Sequence, residues 1–268
     1  MSIRNLLGAT ILGLTVSASA MAQDPAATTP AATTPAATTP VATTPATTGT
    51  YPQALADRPV TLPASMFEGR LDINASLSTG IIFKQFSIVP AVRYGLTDDL
   101  ELALAVGVGI SDPGGVSFGG LNLGGYYTVV RGDFRGAAHL NVTSSSFDPF
   151  SLGVSVGFKS IFQADRLAIA FDPQVAIALA PGAAFGGIAI PVVLSYNVSP
   201  EFAPYLITGI NVPSFDPFAL VVPVGVGAQY SPSNMLDLGL RFTFDGLISN
   251  NGANADARTL GLFAAFRM

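Results

Sequence analysis

From Phe67 to the end of the chain, apolar and polar residues alternate with a period of two, and no other feature restricts the fold as severely. In FEGRLDINASL (67–77) the even positions are Glu68, Arg70, Asp72, Asn74 and Ser76, while the odd ones are apolar or Gly. In DLELALAVGVGI (99–110) large aliphatics hold every even position, and the odd ones run from acidic through Ala to Gly. A strand built this way turns one face to an apolar medium and the other away from it. Ten further segments repeat the pattern, near 86–97, 118–130, 133–143, 150–161, 166–179, 187–198, 202–212, 218–230, 235–245 and 257–268, which predicts twelve strands.

Composition decides which medium. Only 11% of the residues are charged against 49% apolar, whereas a soluble domain carries about a quarter charged. A β-sandwich or a soluble lipid-binding barrel would turn the aliphatic face inward and leave Gly, Ala, Ser and Thr to face water, a poor exterior but a serviceable lumen. The uncharged run 176–194 is no helical span, because Pro181, Gly182, Gly186, Gly187 and Pro191 interrupt it. Compact turns at 97–98, 131–132, 163–165, 199–201 and 231–233 oppose longer loops such as SDPGGVSFGG and SNNGANADA. The expected fold is all-β, an antiparallel transmembrane barrel of about twelve strands, with both chain ends on the compact-turn, periplasmic side. Eleven residues at about 3.3 Å each, tilted by about 40°, cover roughly 28 Å, close to the ~25 Å apolar band of such barrels.

The stretch before the barrel divides in three. Residues 1–22, with Arg4, an apolar run and the Ala20-Met21-Ala22 site, read as a secretory signal peptide. Residues 23–50 repeat AATTP and are expected to form an extended tether. Residues 51–66 lead into the barrel. The chain has no cysteine, so pairing and burial alone must hold it, and a net charge of -5 excludes nucleic-acid partners.

Aromatic residues sort into belts. Phe67, Tyr94, Tyr127, Phe134, Tyr196, Phe202, Tyr230 and Phe266 fall on the outward parity at the compact-turn ends, as interfacial anchors. At the other ends stand Phe86, Phe118, Phe150, Phe218 and Phe244. The pentapeptide SFDPF occurs at 146–150 and 214–218; its second Phe, Phe150 or Phe218, is expected as an outward anchor, its Asp-Pro as the turn, and its first Phe at the loop tip. Phe118 is off parity with Leu121 and Leu123, which predicts a bulge.

The inward parity gathers charge. Glu68, Arg70, Asp72, Arg93, Glu101, Arg135, Lys159, Arg166, Asp172, Asp237, Arg241 and Arg267 lie mostly toward the compact-turn ends, as an ion-pair network or a charge-selective constriction. Arg267 on the last strand should meet Glu68 on the first and Asp237 on the strand before it. The other half is lined by small residues such as Ala103, Ala105, Gly225 and Gly227, with no aromatic ladder for sugars. The one histidine, His139, shares parity with Asn141 and Thr143; a hydrolase would need a hydroxyl at that imidazole, and no serine-nucleophile motif is present. No enzyme activity, metal or cofactor is expected.

The segment ADRPVTLPASMFEGRLDIN, the phrase YGLTDDLELAL, the FDPF hairpins and the ending DARTLGLFAAFRM resemble outer-membrane β-barrel proteins of myxobacteria and related bacteria, and more loosely the transporter-like barrels of phenol-degradation pathways. The ending also resembles the signal read by the barrel assembly machinery, with Met268 in place of the usual final Phe. The resemblance implies a Gram-negative outer membrane, with its lipid and that machinery as partners. The expected role is a passive channel or transporter for small solutes, the alternative a non-conducting structural or adhesive barrel closed by its charges and by residues 51–65 folded into the lumen.

Overall fold

The computed structural model describes residues 51–268 apart from 81, 113, 148–149, 180–185, 250–251 and 254. The signal peptide and tether expected at 1–50 lie outside the described residues, as do the side chains of Phe150 and Phe218. The strands are β1 (Phe67–Ser76), β2 (Gln85–Gly95), β3 (Leu100–Ser111), β4 (Gly115–Val130), β5 (Phe134–Phe147), β6 (Phe150–Ala164), β7 (Leu167–Phe171), β8 (Gln174–Ala178), β9 (Gly186–Tyr196), β10 (Phe202–Pro213), β11 (Val221–Tyr230), β12 (Leu236–Ser249), β13 (Gly252–Ala253) and β14 (Arg258–Arg267). Each pairs antiparallel with its sequence neighbour, β13 being a two-residue ribbon on β12, and β14 pairs with β1 to close the ring. β7 and β8 are halves of one stave between β6 and β9, so the barrel has twelve staves, as the alternation predicts.

The break in that stave falls at Asp172-Pro173. Proline has no N–H to give the ladder, and its carbonyl instead accepts from Phe158 N at 3.1 Å. The predicted bulge at Phe118 is present: Gly107 pairs with Gly120 but Val108 with Phe118, leaving Gly119 unpaired. Large aliphatics on the outward parity, among them Leu71, Leu102, Leu104, Leu140, Val156, Leu206, Val226, Leu240 and Leu262, are exposed around the ring, as a lipid-facing wall requires. Tyr94, Tyr127, Phe134, Tyr196, Phe202, Tyr230 and Phe266 are exposed with them, and Phe67 is half-exposed.

Three expectations are corrected. The loop expected at SDPGGVSFGG is mostly strand, since β3 runs to Ser111 and β4 starts at Gly115; hydrogen-bonded hairpins carry β4 to 16 residues. In the second SFDPF the tight turn lies one step earlier than Asp216-Pro217: Ser214 and Phe215 both have φ 55°, Asp216 N bonds Pro213 O, and Pro217–Ala219 is a 3₁₀ turn. Phe215 is exposed at the tip as expected, its ring lying over Gly186. Arg166 is not in the lumen but in the exposed β6–β7 turn, where it donates to Val198 O; the strand begins one residue later than the alternation suggests.

Candidate functional site: an occluded lumen

Residues 51–66 lie across the compact-turn end of the barrel as a plug. Tyr51, Ala56, Arg58, Val60, Thr61 and Leu62 are buried, and a 3₁₀ turn, Leu55–Asp57, packs near β7 and β9. The plug is held chiefly by polar contacts to staves all around the ring. Arg58 forks onto Asp237 of β12 at 2.6 and 2.8 Å, and its guanidinium also reaches Ser231 Oγ and the carbonyls of Pro52 and Gln53. Leu62 N donates to Glu101 Oε2 at 2.8 Å, Thr61 shares a hydroxyl contact of 2.7 Å with Thr128, and Gln163 of β6 donates to Asp57. Arg135 of β5 donates to Ala56 O, so this predicted lumen charge caps the plug and forms no ion pair among the described residues. The plug leaves along β2, where Gly95 is obligatory: a Cβ there would lie 1.9 Å from Pro63 O. Tyr51 stacks between Arg267 and Arg58, with guanidinium carbons 4.7 and 5.6 Å from the ring centre. Burial pushes its phenol up, against the pull of Arg267 and Arg58, so it stays neutral.

Above and beside the plug, alternation places charges on adjacent staves. Glu101 (β3), Arg93 (β2), Glu68 (β1), Arg267 (β14), Asp237 (β12) and Arg58 of the plug form one unbroken series of alternating sign. Arg93 contacts Glu101 at 2.7 Å and Glu68 at 3.0 Å. Arg267 Nε lies 2.6 Å from Glu68 Oε2, an ion pair too poorly aligned to count as a hydrogen bond, and its NH2 donates to Asp237. The pairings of Arg267 with Glu68 and Asp237 are those the parity predicts. A second tier joins Arg70 to Asp72 through two bonds of 2.6 and 2.9 Å, Arg241 to Asp72 at 3.6 Å and Arg241 to Asn74 at 3.0 Å. The predicted network is thus real but divided.

A third group lies on β4 to β6 and at the break between β7 and β8. His139 Nε2 meets Asp172 Oδ1, the Asn141 amide donates to His139 Nδ1 at 2.9 Å, and Tyr126 OH donates to Asn141 Oδ1. The Asn141 bond makes Nδ1 the acceptor, so Nε2 carries the proton and donates it to Asp172. Both imidazole nitrogens are therefore engaged, and no hydroxyl occupies the position a nucleophile requires. Lys159 stands over the Tyr126 ring, 5.7 Å from its centre. The small-residue half of the lumen is less open than expected, because inward glycines receive large neighbours: a Cβ at Gly227 would lie 2.4 Å from the Tyr205 ring, and one at Gly239 2.1 Å from Phe263. Tyr126, Tyr205 and Phe263 thus put scattered aromatics on a face where no ladder was expected.

The sequence reading misses Arg58, Tyr51, Ser231 and Tyr126. Its alternative did fold residues 51–65 into the lumen, but it gave Arg58 and Tyr51 no contact there, because 51–66 is neither low-complexity nor alternating.

No protein-family model and no curated protein sequence matches the chain. Among solved structures it is similar to the KdgM porin (8% identity, 74% of this chain and 98% of that one, TM-score 0.56). It is also similar to the NanC porin (9%, 75% and 100%, 0.57). The COG4313 outer membrane channel from Pseudomonas putida F1 aligns at 15% identity over 78% of this chain and 97% of that one, with a TM-score of 0.51. At such identities the likeness is one of fold, and the fold is that of an outer-membrane β-barrel.

Proposed function

We propose that this chain is an outer-membrane channel for small solutes, shut at its periplasmic end by its own residues 51–66. The observation that carries the reading is the nature of the closure. Hydrogen bonds and ion pairs hold the plug to the wall, and a barrel serving only as a scaffold could fill its lumen with apolar side chains instead. The likeness to porins and an outer-membrane channel supports the same reading. Lipid of a Gram-negative outer membrane and the barrel assembly machinery are its expected partners, the latter through the alternating β14 that ends near Phe266. The occupied imidazole of His139 favours a non-catalytic role. A second reading, a non-conducting structural barrel, draws on the charge-balanced series from Glu101 to Arg58, which seals one end as found.

Single-channel conductance of the refolded mature protein in a planar bilayer, with and without residues 51–66, separates the two. Brief openings in the full chain and steady conductance after deletion are expected. Silence in both forms, with the barrel shown folded by heat-modifiable migration, would sink the channel reading.

A further inference from the structure

The two signs of charge in the lumen are not equally open. The carboxylates Glu68, Asp72, Glu101, Asp172 and Asp237 have side chains only 3, 6, 1, 0 and 2% exposed. Arg70, Arg93 and Arg241 are 28, 25 and 26% exposed, and Lys159 is half-exposed. A solute above the plug therefore meets cations, with the balancing carboxylates behind them.

The donors still free sharpen the point. Arg93 spends all three nitrogens on Glu101 and Glu68. Arg70 keeps NH1 unspent and Arg241 keeps NH1 and Nε, since Asp72 and Asn74 take the rest. Lys159 contacts no carboxylate among the described residues and only faces the Tyr126 ring. β1 and β12 each stand five staves from β6, in opposite directions around a ring of twelve, so Lys159 faces the two arginines from the far wall. Gly261 makes room for this arrangement: a Cβ there would lie 2.7 Å from Arg241 Nε and 2.8 Å from Asn74 Oδ1.

We infer that the lumen selects anions, and small carboxylates in particular, with Arg70, Arg241 and Lys159 as the recognising cations. This rests on the channel reading. A guanidinium edge with free N–H groups fits the two oxygens of a carboxylate, and a narrow lumen with low-dielectric walls focuses the field of the exposed cations. One carboxylate does stay open: Asp245, bonded by Thr243 and Thr259, is exposed on the lumen parity of β12, but it stands four residues from Arg241 along the strand, about 13 Å at ~3.3 Å per residue and beyond the ~8 Å over which salt screens it.

The test is the reversal potential across a bilayer under a tenfold KCl gradient, using the full mature chain carrying Arg58→Ala to favour opening. A chloride-to-potassium permeability ratio of about 3 or more is expected, falling toward 1 in Arg70→Gln/Arg241→Gln/Lys159→Gln. Arg241→Lys keeps the charge and should keep the ratio, which covers a triple variant that does not fold. Replacing chloride by acetate should preserve the current. Potassium preference, or a ratio of 1 in the parent, overturns the inference while leaving the channel intact; chloride current without acetate current overturns the carboxylate class. Silence in every form removes the channel reading and this inference with it.

Discussion

Arg58→Ala is the most direct probe of the plug. The change removes five hydrogen bonds, including both to Asp237, between side chains only 7% and 2% exposed. Breaking such a buried pair costs about 3–5 kcal/mol. Arg267 still contacts Asp237 Oδ2 and Ser231 still donates to Oδ1, which places the loss at the lower end, about 3 kcal/mol. That cost falls on the docked plug and not on the ring, whose ladders Arg58 does not join. At about 1.4 kcal/mol per decade the undocked population should rise about 10²-fold. The burial of Leu62, Val60, Ala56 and Tyr51 still favours the docked form, so openings become frequent without becoming permanent. Two assays read this independently. Limited proteolysis of the folded barrel in detergent should cleave within 51–66 faster by a comparable factor, because cleavage under rapid reclosing follows the open population. Opening frequency in a planar bilayer should rise in parallel, with Arg58→Lys between the two, since an ammonium cannot reproduce the fork. Cleavage and opening both within twofold of the parent would refute the latch.

Other changes test the wall. Gly95→Ala should leave the β1–β2 ladder in place but expel the plug, read as faster proteolysis within 51–66, because its Cβ would overlap Pro63 O. His139→Ala leaves Asp172 fully buried with its second oxygen already unpartnered, and should cost about 3 kcal/mol or more, measured by urea unfolding in lipid, with His139→Gln recovering part of it. Leu240→Arg on the lipid face should cost about 2–4 kcal/mol in the same assay, whereas Ala105→Arg on the lumen parity should cost less and alter conductance instead.

Much of the wall is legible in the sequence. Alternation is a local property, so it assigned Glu68 and Arg267 to one face, placed the Tyr94, Tyr127, Tyr230 and Phe266 anchors on the other, and located the bulge by the parity break after Phe118. Once β14 closes on β1, antiparallel pairing brings Glu68 opposite Arg267 directly. The break at Asp172-Pro173 was less legible, because the apolar pattern continues across it.

Tertiary structure decided how the lumen is occupied: residues 51–65 were expected there only under the non-conducting alternative, and no contact that holds them was legible. The plug has no period to read, and Arg58 finds Asp237 across 179 positions of sequence because the whole ring delivers that carboxylate to the end where the lead-in returns. Parity said that His139 and Asp172 face inward; only the stagger between neighbouring staves brings their side chains together. It also set which charges stay wet. Alternation assigns a residue to a face but not to a depth, and depth leaves the carboxylates covered while Arg70, Arg93 and Arg241 remain open to the lumen.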